Sequence, residues 1–134
     1  MAVEPRVLDA WAMMAYLEGE PAGVKVKTLL TDAQGVEGAL LASVVNMHEV
    51  WYSVARARGE QDADAAVEAL MDLGVELVPA DWALARQAAQ FKAGHKLSVA
   101  DSFAAALAKV RDIEVVTGDP EFKQLSREVK ILWL

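Results

Sequence analysis

Four acidic residues stand where an acid is costly unless it meets something positive: Asp9, Glu49, Asp101 and Asp119. Asp9 directly follows the apolar run Arg6-Val7-Leu8, and Asp119 closes Val115-Val116-Thr117-Gly118-Asp119, so each marks the end of an expected strand. Glu49 lies in Val44-Val45-Asn46-Met47-His48-Glu49-Val50-Trp51-Tyr52, with residues suited to burial on both sides. Asp101 lies in Ser98-Val99-Ala100-Asp101-Ser102-Phe103, just before Ala104-Ala105-Ala106. On a helix, Ser98, Asp101, Ala104, Ala105 and Ala108 share one face, small enough to approach a sheet and carry Asp101 inward. A buried carboxylate is expensive without a partner. Two like unit charges ~4 Å apart repel by about 4 kcal/mol at an effective dielectric of ~20. Four acids converging on one point therefore demand a cation. Oxygen ligands without cysteine favour Mg²⁺ or Mn²⁺ over zinc. A carboxylate cage around such an ion suits phosphodiester hydrolysis, because the ion acidifies water and neutralises charge growing on the phosphate.

Taken singly, three of these acids have plainer roles. Asp9 is placed to cap a helix, Asp119 to make a turn before Pro120, and Asp101 to complement a helix dipole in its first turn. Glu49, at the sixth position of its expected helix, has no capping use. The joint pattern, two strand ends and two inward helical faces, is what points to a site.

Composition narrows the classes. The 134 residues carry 13 Lys and Arg against 20 Asp and Glu, a formal net charge of −7. Nucleic-acid binding through bulk positive charge is excluded. An acidic site that reaches phosphates through bound cations is not. Without cysteine there is no disulfide framework, cysteine metal site or thiol catalysis. No apolar stretch approaches the ~18 residues that span a bilayer, and MAVEPRVLDAW lacks the charged and apolar regions of a signal peptide. The expectation is a single domain over 1–134, cytoplasmic and without a membrane anchor.

Strands and helices alternate along the chain. Strands are expected at Arg6–Leu8, Ala39–Ala42, Val75–Val78, Ile113–Val116 and Val129–Leu134. Helices are expected at Ala10–Leu17, Ala22–Gln34, Val44–Arg58, from Asp62 or Asp64 to Gly74, from an Asp81 cap through Lys92, Val99–Val110, and a short one from Pro120 to Leu125 or Ser126. The alternation implies right-handed crossovers and a central parallel sheet with helices on both faces. In such sheets the site lies beyond the carboxyl ends of the strands.

The segments VLDAWAMMAYLEGE, SVVNMHEVWY, LSVADSFAAALAK and VVTGDPEF, in that order, resemble the PIN domain family from Val7 to about Leu132. The resemblance implies an α/β three-layer domain with a five-stranded parallel sheet of order 3-2-1-4-5, which sets Asp9 beside Asp119. It implies a metal-dependent ribonuclease in which Asp9, Glu49, Asp101 and Asp119 hold Mg²⁺ or Mn²⁺, with Asn46, Ser98 and Thr117 in support. A chain of this length is most similar to the toxin of a VapBC toxin–antitoxin pair. That similarity implies a structured RNA substrate, a VapB-type antitoxin and a homodimer. Two other functions stay open: a PIN fold that binds RNA or protein without cutting, and a free-standing RNA-processing nuclease.

Other features have ordinary readings. The first helix, Ala10–Leu17, is apolar all round, so it is either buried or its outer face meets a partner. Trp51, Tyr52 and Trp82 read as packing, His48 and His95 as non-ligands, and Lys92, Lys96, Lys109 and Lys123 as solvated surface. No Gly-x-Gly-x-x-Gly follows the first strand and no Gly-Lys-Ser/Thr motif is present, so nucleotide-binding folds are unsupported.

Overall fold

The structure is a computed structural model that describes residues 3–134, so Met1 and Ala2 of the expected unit lie outside it. Five strands, β1 (Arg6–Leu8), β2 (Leu40–Ser43), β3 (Val75–Val78), β4 (Glu114–Thr117) and β5 (Ile131–Trp133), form one parallel sheet of order β3-β2-β1-β4-β5. This is the order the resemblance implied. The register pairs Leu8 with Val116, which brings the residues after them, Asp9 and Thr117, to the same carboxyl edge.

The strands are short and apolar because both faces of the sheet are covered. Successive side chains point to opposite faces. Leu8 and Val116 join the core with Met13, Val26, Met47, Val50 and Leu70. Val7 and Val115 join the other core, with Leu84, Phe91, Leu107, Phe122 and Leu125. The first face is covered by α1 (Ala10–Leu17), α2 (Gly23–Asp32), α3 (Val44–Arg58) and α4 (Glu60–Asp72), the second by α5 (Trp82–Gly94) and α6 (Val99–Arg111). Ala104, Ala105 and Ala108 of α6 are fully buried, and the helix packs on β1, β2 and β4. The small face read from the sequence thus brings the start of α6 close to the sheet.

Several boundaries differ from expectation. Helix α4 begins at Glu60, not at Asp62 or Asp64. Gly59, at φ 97°, makes the joint with α3, and no side chain caps the helix. Helix α2 is trimmed at both ends, and β5 starts only at Ile131 because the Val129 N–H is spent on the Leu125 carbonyl in the preceding turn. Trp82 is not packing: it is 74% exposed at the start of α5. Trp51 is half-buried and donates Nε1–H to Asp64 at 2.9 Å. In α1, Ala10, Ala12, Met13 and Ala15 are buried while Trp11 is partly exposed, so the helix is mainly a core element. Lys92 donates to the Leu97 carbonyl and Lys109 lies over the Phe91 ring, so these two cations serve the fold. Among the described residues no helix is long and apolar enough to cross a membrane.

Candidate active site

Asp9 performs its capping role and has an oxygen to spare. Oδ1 accepts the Ala12 N–H at 2.8 Å, fixing the carboxylate at the start of α1. Oδ2 is buried and has no hydrogen-bond partner. Burial is the main force on this group and pushes its pKa from 3.8 up to about 7. The Thr117 hydroxyl and the Ala12 N–H oppose that rise, whereas Asp101 and Asp119 add to it. Thr117 acts on Asp9 without completing a hydrogen bond, and its Oγ accepts the Asp119 N–H at 3.0 Å. One hydroxyl therefore serves both strand-end acids.

Asp101 sits in the first turn of α6, where its own N–H donates to the Ser98 Oγ at 3.0 Å. Its carboxyl is half-buried. Burial first, and then the charge of Asp119, raise its pKa to about 7; Ser98 opposes, and Glu49 and Glu121 add smaller increments. Glu49, also half-buried, is raised in the same direction by burial and by Asp119, with His48 opposing. Asp119 caps the 3-10 helix Pro120–Leu125, its Oδ1 accepting the Glu121 N–H at 2.9 Å. Asn46 is fully buried in the first turn of α3. Its Nδ2 donates to the Ala100 carbonyl at 3.1 Å, tying α3 to the start of α6, and its Oδ1 has no partner.

The four acids singled out in the sequence thus lie in one electrostatic neighbourhood, at the carboxyl edge of β1 and β4 and the starts of α3 and α6. The tightest grouping is not quite the expected one. Asp101, Asp119 and Glu121 each offer a carboxylate oxygen, and these atoms lie within 4.8 Å of one another. Asp9 and Glu49 stand outside that triple and feel it through charge. Glu121 is the residue that sequence reasoning missed. Its signal was an acid two residues after a capping Asp, in the same turn as Asp119.

Among the described residues no ion pair reaches a site acid, and of the raised acids only Glu49 is tempered by a positive charge, that of His48. The ion pairs among the described residues join Arg6 to Glu4 and Glu114, His95 to Glu128, and Lys130 to Asp112, all away from the cluster. Clustered carboxylates, and two buried oxygens without donors, are the kind of oxygen ligands a hard divalent ion takes. The residues present fit such an ion.

The family model described as PIN domain matches residues 6–128. A comparison with curated proteins returns no match. Among solved structures, the chain is similar to DNA-bound VapBC from Salmonella typhimurium, with a TM-score of 0.76 at 18% identity over 96% of this chain and 97% of that one. It is similar to the VapC20 toxin of Mycobacterium tuberculosis, described as cleaving the sarcin–ricin loop, with a TM-score of 0.72 at 21% identity over 93% and 97%. It is also similar to VapBC-5 of M. tuberculosis, with a TM-score of 0.67 at 23% identity over 99% and 100%. At these identities the likeness speaks for the fold.

Proposed function

The chain belongs to the PIN domain family, and from that membership we propose that it is a divalent-metal-dependent endoribonuclease, the toxin of a VapBC-type toxin–antitoxin pair. One observation carries the reading: carboxylate oxygens of Asp101, Asp119 and Glu121 converge within 4.8 Å, in the electrostatic neighbourhood of Asp9 and Glu49, and no ion pair among the described residues reaches them.

Asp9, Glu49, Asp101 and Asp119 would hold Mg²⁺ or Mn²⁺. When bound, such an ion lowers the pKa of water and neutralises charge building on a phosphate. The rest falls to the chain. Asp9 offers Oδ2 from a carboxylate locked at Oδ1 by α1, so little side-chain freedom is lost on loading. Thr117 steadies Asp9 and Asp119 together, and Ser98 steadies the turn that carries Asp101. Asn46 presents Oδ1 as a fixed acceptor that orients a water or a carboxyl proton. Asp9 and Asp101, with pKa values near 7, give up protons when the site is loaded, so loading is favoured as pH rises. Attack of water on the scissile phosphorus would leave a 5′-phosphate and a 3′-hydroxyl.

The likeness to a toxin described as cleaving the sarcin–ricin loop supports a structured RNA substrate. The likeness to VapBC complexes supports a VapB-type antitoxin as partner. A homodimer and a cytoplasmic location belong to the same proposal. The test is incubation of the purified protein, free of antitoxin, with total cellular RNA in Mg²⁺ or Mn²⁺, with EDTA and Asp101→Asn controls. Discrete products that need both metal and Asp101 are expected. No cleavage in either metal would leave a PIN fold that binds without cutting.

A further inference from the structure

Trp11 lies two residues after Asp9, and its ring packs on Gly118, the residue before Asp119. The contact is so close that a Cβ at position 118 would overlap the benzo edge of the indole. A large aromatic side chain two residues from one strand-end acid is therefore seated on the residue next to the other, yet it remains 36% exposed. A core tryptophan would be covered, and a surface residue with only solvent to face has no need of a glycine cut to its shape. The charge balance points the same way. A chain of net charge −7 lacks the basic face that grips a polyphosphate backbone, so contacts that do not depend on charge would add to what bound cations supply. Stacking on an aromatic ring is such a contact, open to any base. A ring already immobilised loses little freedom when a base settles on it.

Resting on the ribonuclease reading, we propose that Trp11, held on Gly118, is a nucleobase-binding residue that stacks a base next to the phosphate over Asp119. It contributes to substrate grip.

Binding is measured in Ca²⁺ with fluorescein-labelled single-stranded RNA of twelve mixed-sequence nucleotides, and with an abasic strand of the same length and charge. Wild type is compared with Trp11→Phe, Trp11→Leu and Trp11→Ala. Trp11→Leu keeps apolar bulk over Gly118 and protects the comparison if Trp11→Ala fails to fold. Stacking of this kind predicts affinity for the normal strand roughly tenfold weaker in Trp11→Leu and Trp11→Ala, near wild type in Trp11→Phe, and unchanged affinity for the abasic strand in all of them. Equal losses on both strands, or no loss on either, overturn the proposal and leave Trp11 a packing residue. A wild-type protein that neither binds the normal strand nor cuts total RNA fails at the earlier step and takes the ribonuclease reading down with it.

Discussion

Asn46 and Ala100 join the two helices that carry Glu49 and Asp101: the buried amide Nδ2 donates to the Ala100 carbonyl at 3.1 Å, while Oδ1, equally buried, goes without a donor. In the apo protein the side chain gives with one hand and takes with the other. Its hydrogen bond stabilises by about 1 kcal/mol, and its unpartnered oxygen costs about 1–3 kcal/mol. Asn46→Ala removes both, and the Ala100 carbonyl keeps its place in the α6 ladder. We expect urea unfolding of the apo variant to stay within about 1 kcal/mol of wild type. Mn²⁺ affinity and cleavage should fall by the ~10–100-fold typical of residues that support metal ligands. A large loss of stability with unchanged Mn²⁺ titration would assign Asn46 to the fold alone.

The raised pKa values give a pH dependence with a definite sign. Asp9 titrates near 3.8 in the unfolded chain and about 7 in the folded one, and Asp101 behaves likewise. Between those values the native state binds more protons than the unfolded state, so these groups lower stability as pH rises from about 4 to 7 and change it no further above that. Asp101→Asn removes one such group. The variant's melting temperature minus that of metal-free wild type should therefore grow from pH 5 to pH 8. Saturating Mn²⁺ should cancel or reverse the difference by stabilising wild type alone. Cleavage by the variant should drop by more than the ~10–100-fold of a supporting residue. A difference that shrinks as pH rises would mean Asp101 is stabilised as the anion, contrary to its surroundings.

Glu121 tests the edge of the site. It is exposed, so Glu121→Gln should leave the melting temperature of the apo protein within about 2 °C of wild type, as for a surface change of under ~0.5 kcal/mol. Its oxygen nevertheless lies with those of Asp101 and Asp119 within 4.8 Å. Calorimetric Mn²⁺ titration should show weaker binding, by less than the loss from Asp101→Asn. Identical Mn²⁺ binding in wild type and Glu121→Gln would place Glu121 outside the donor set.

The sheet and most of its neighbours are readable because strand-end acids, short continuous apolar runs and capping residues all report on local structure. Asp9 shows why single-residue reasoning stalls there: capping does not exhaust the carboxylate, since Oδ1 caps the helix and Oδ2 is left without a partner. Glu121 escaped because its spacing, an acid two residues after Asp119, is shared by ordinary solvated turns; the turn that Asp119 caps sets its carboxylate, still exposed, beside those of Asp101 and Asp119. Trp82 reads as packing in the sequence but is exposed, because hydrophobicity says nothing of whether a helix start faces the core. The α4 start lies two residues before the first Asp that could cap it, because a glycine joint, unlike a capping aspartate, leaves no side-chain signal. The Trp11–Gly118 contact spans 107 residues of sequence and needed the β1–β4 pairing to become visible.

That contact makes a prediction of its own. Gly118 is not among the residues with positive φ, so the glycine is required there for space and not for backbone conformation. Gly118→Ala places a methyl where the indole lies, and the ring or the Thr117–Asp119 turn must move. Overpacking of this kind costs about 1–3 kcal/mol. If the indole is the obstacle, the cost depends on it. Combining Gly118→Ala with Trp11→Leu should then destabilise less than the two single changes summed, with a coupling of about 0.5–3 kcal/mol in urea unfolding. Additive losses would show that the clash at position 118 is with the backbone turn and that Trp11 can leave without resistance. In that case the ring is not held, and both its fixed position and the stacking role built on it fail together.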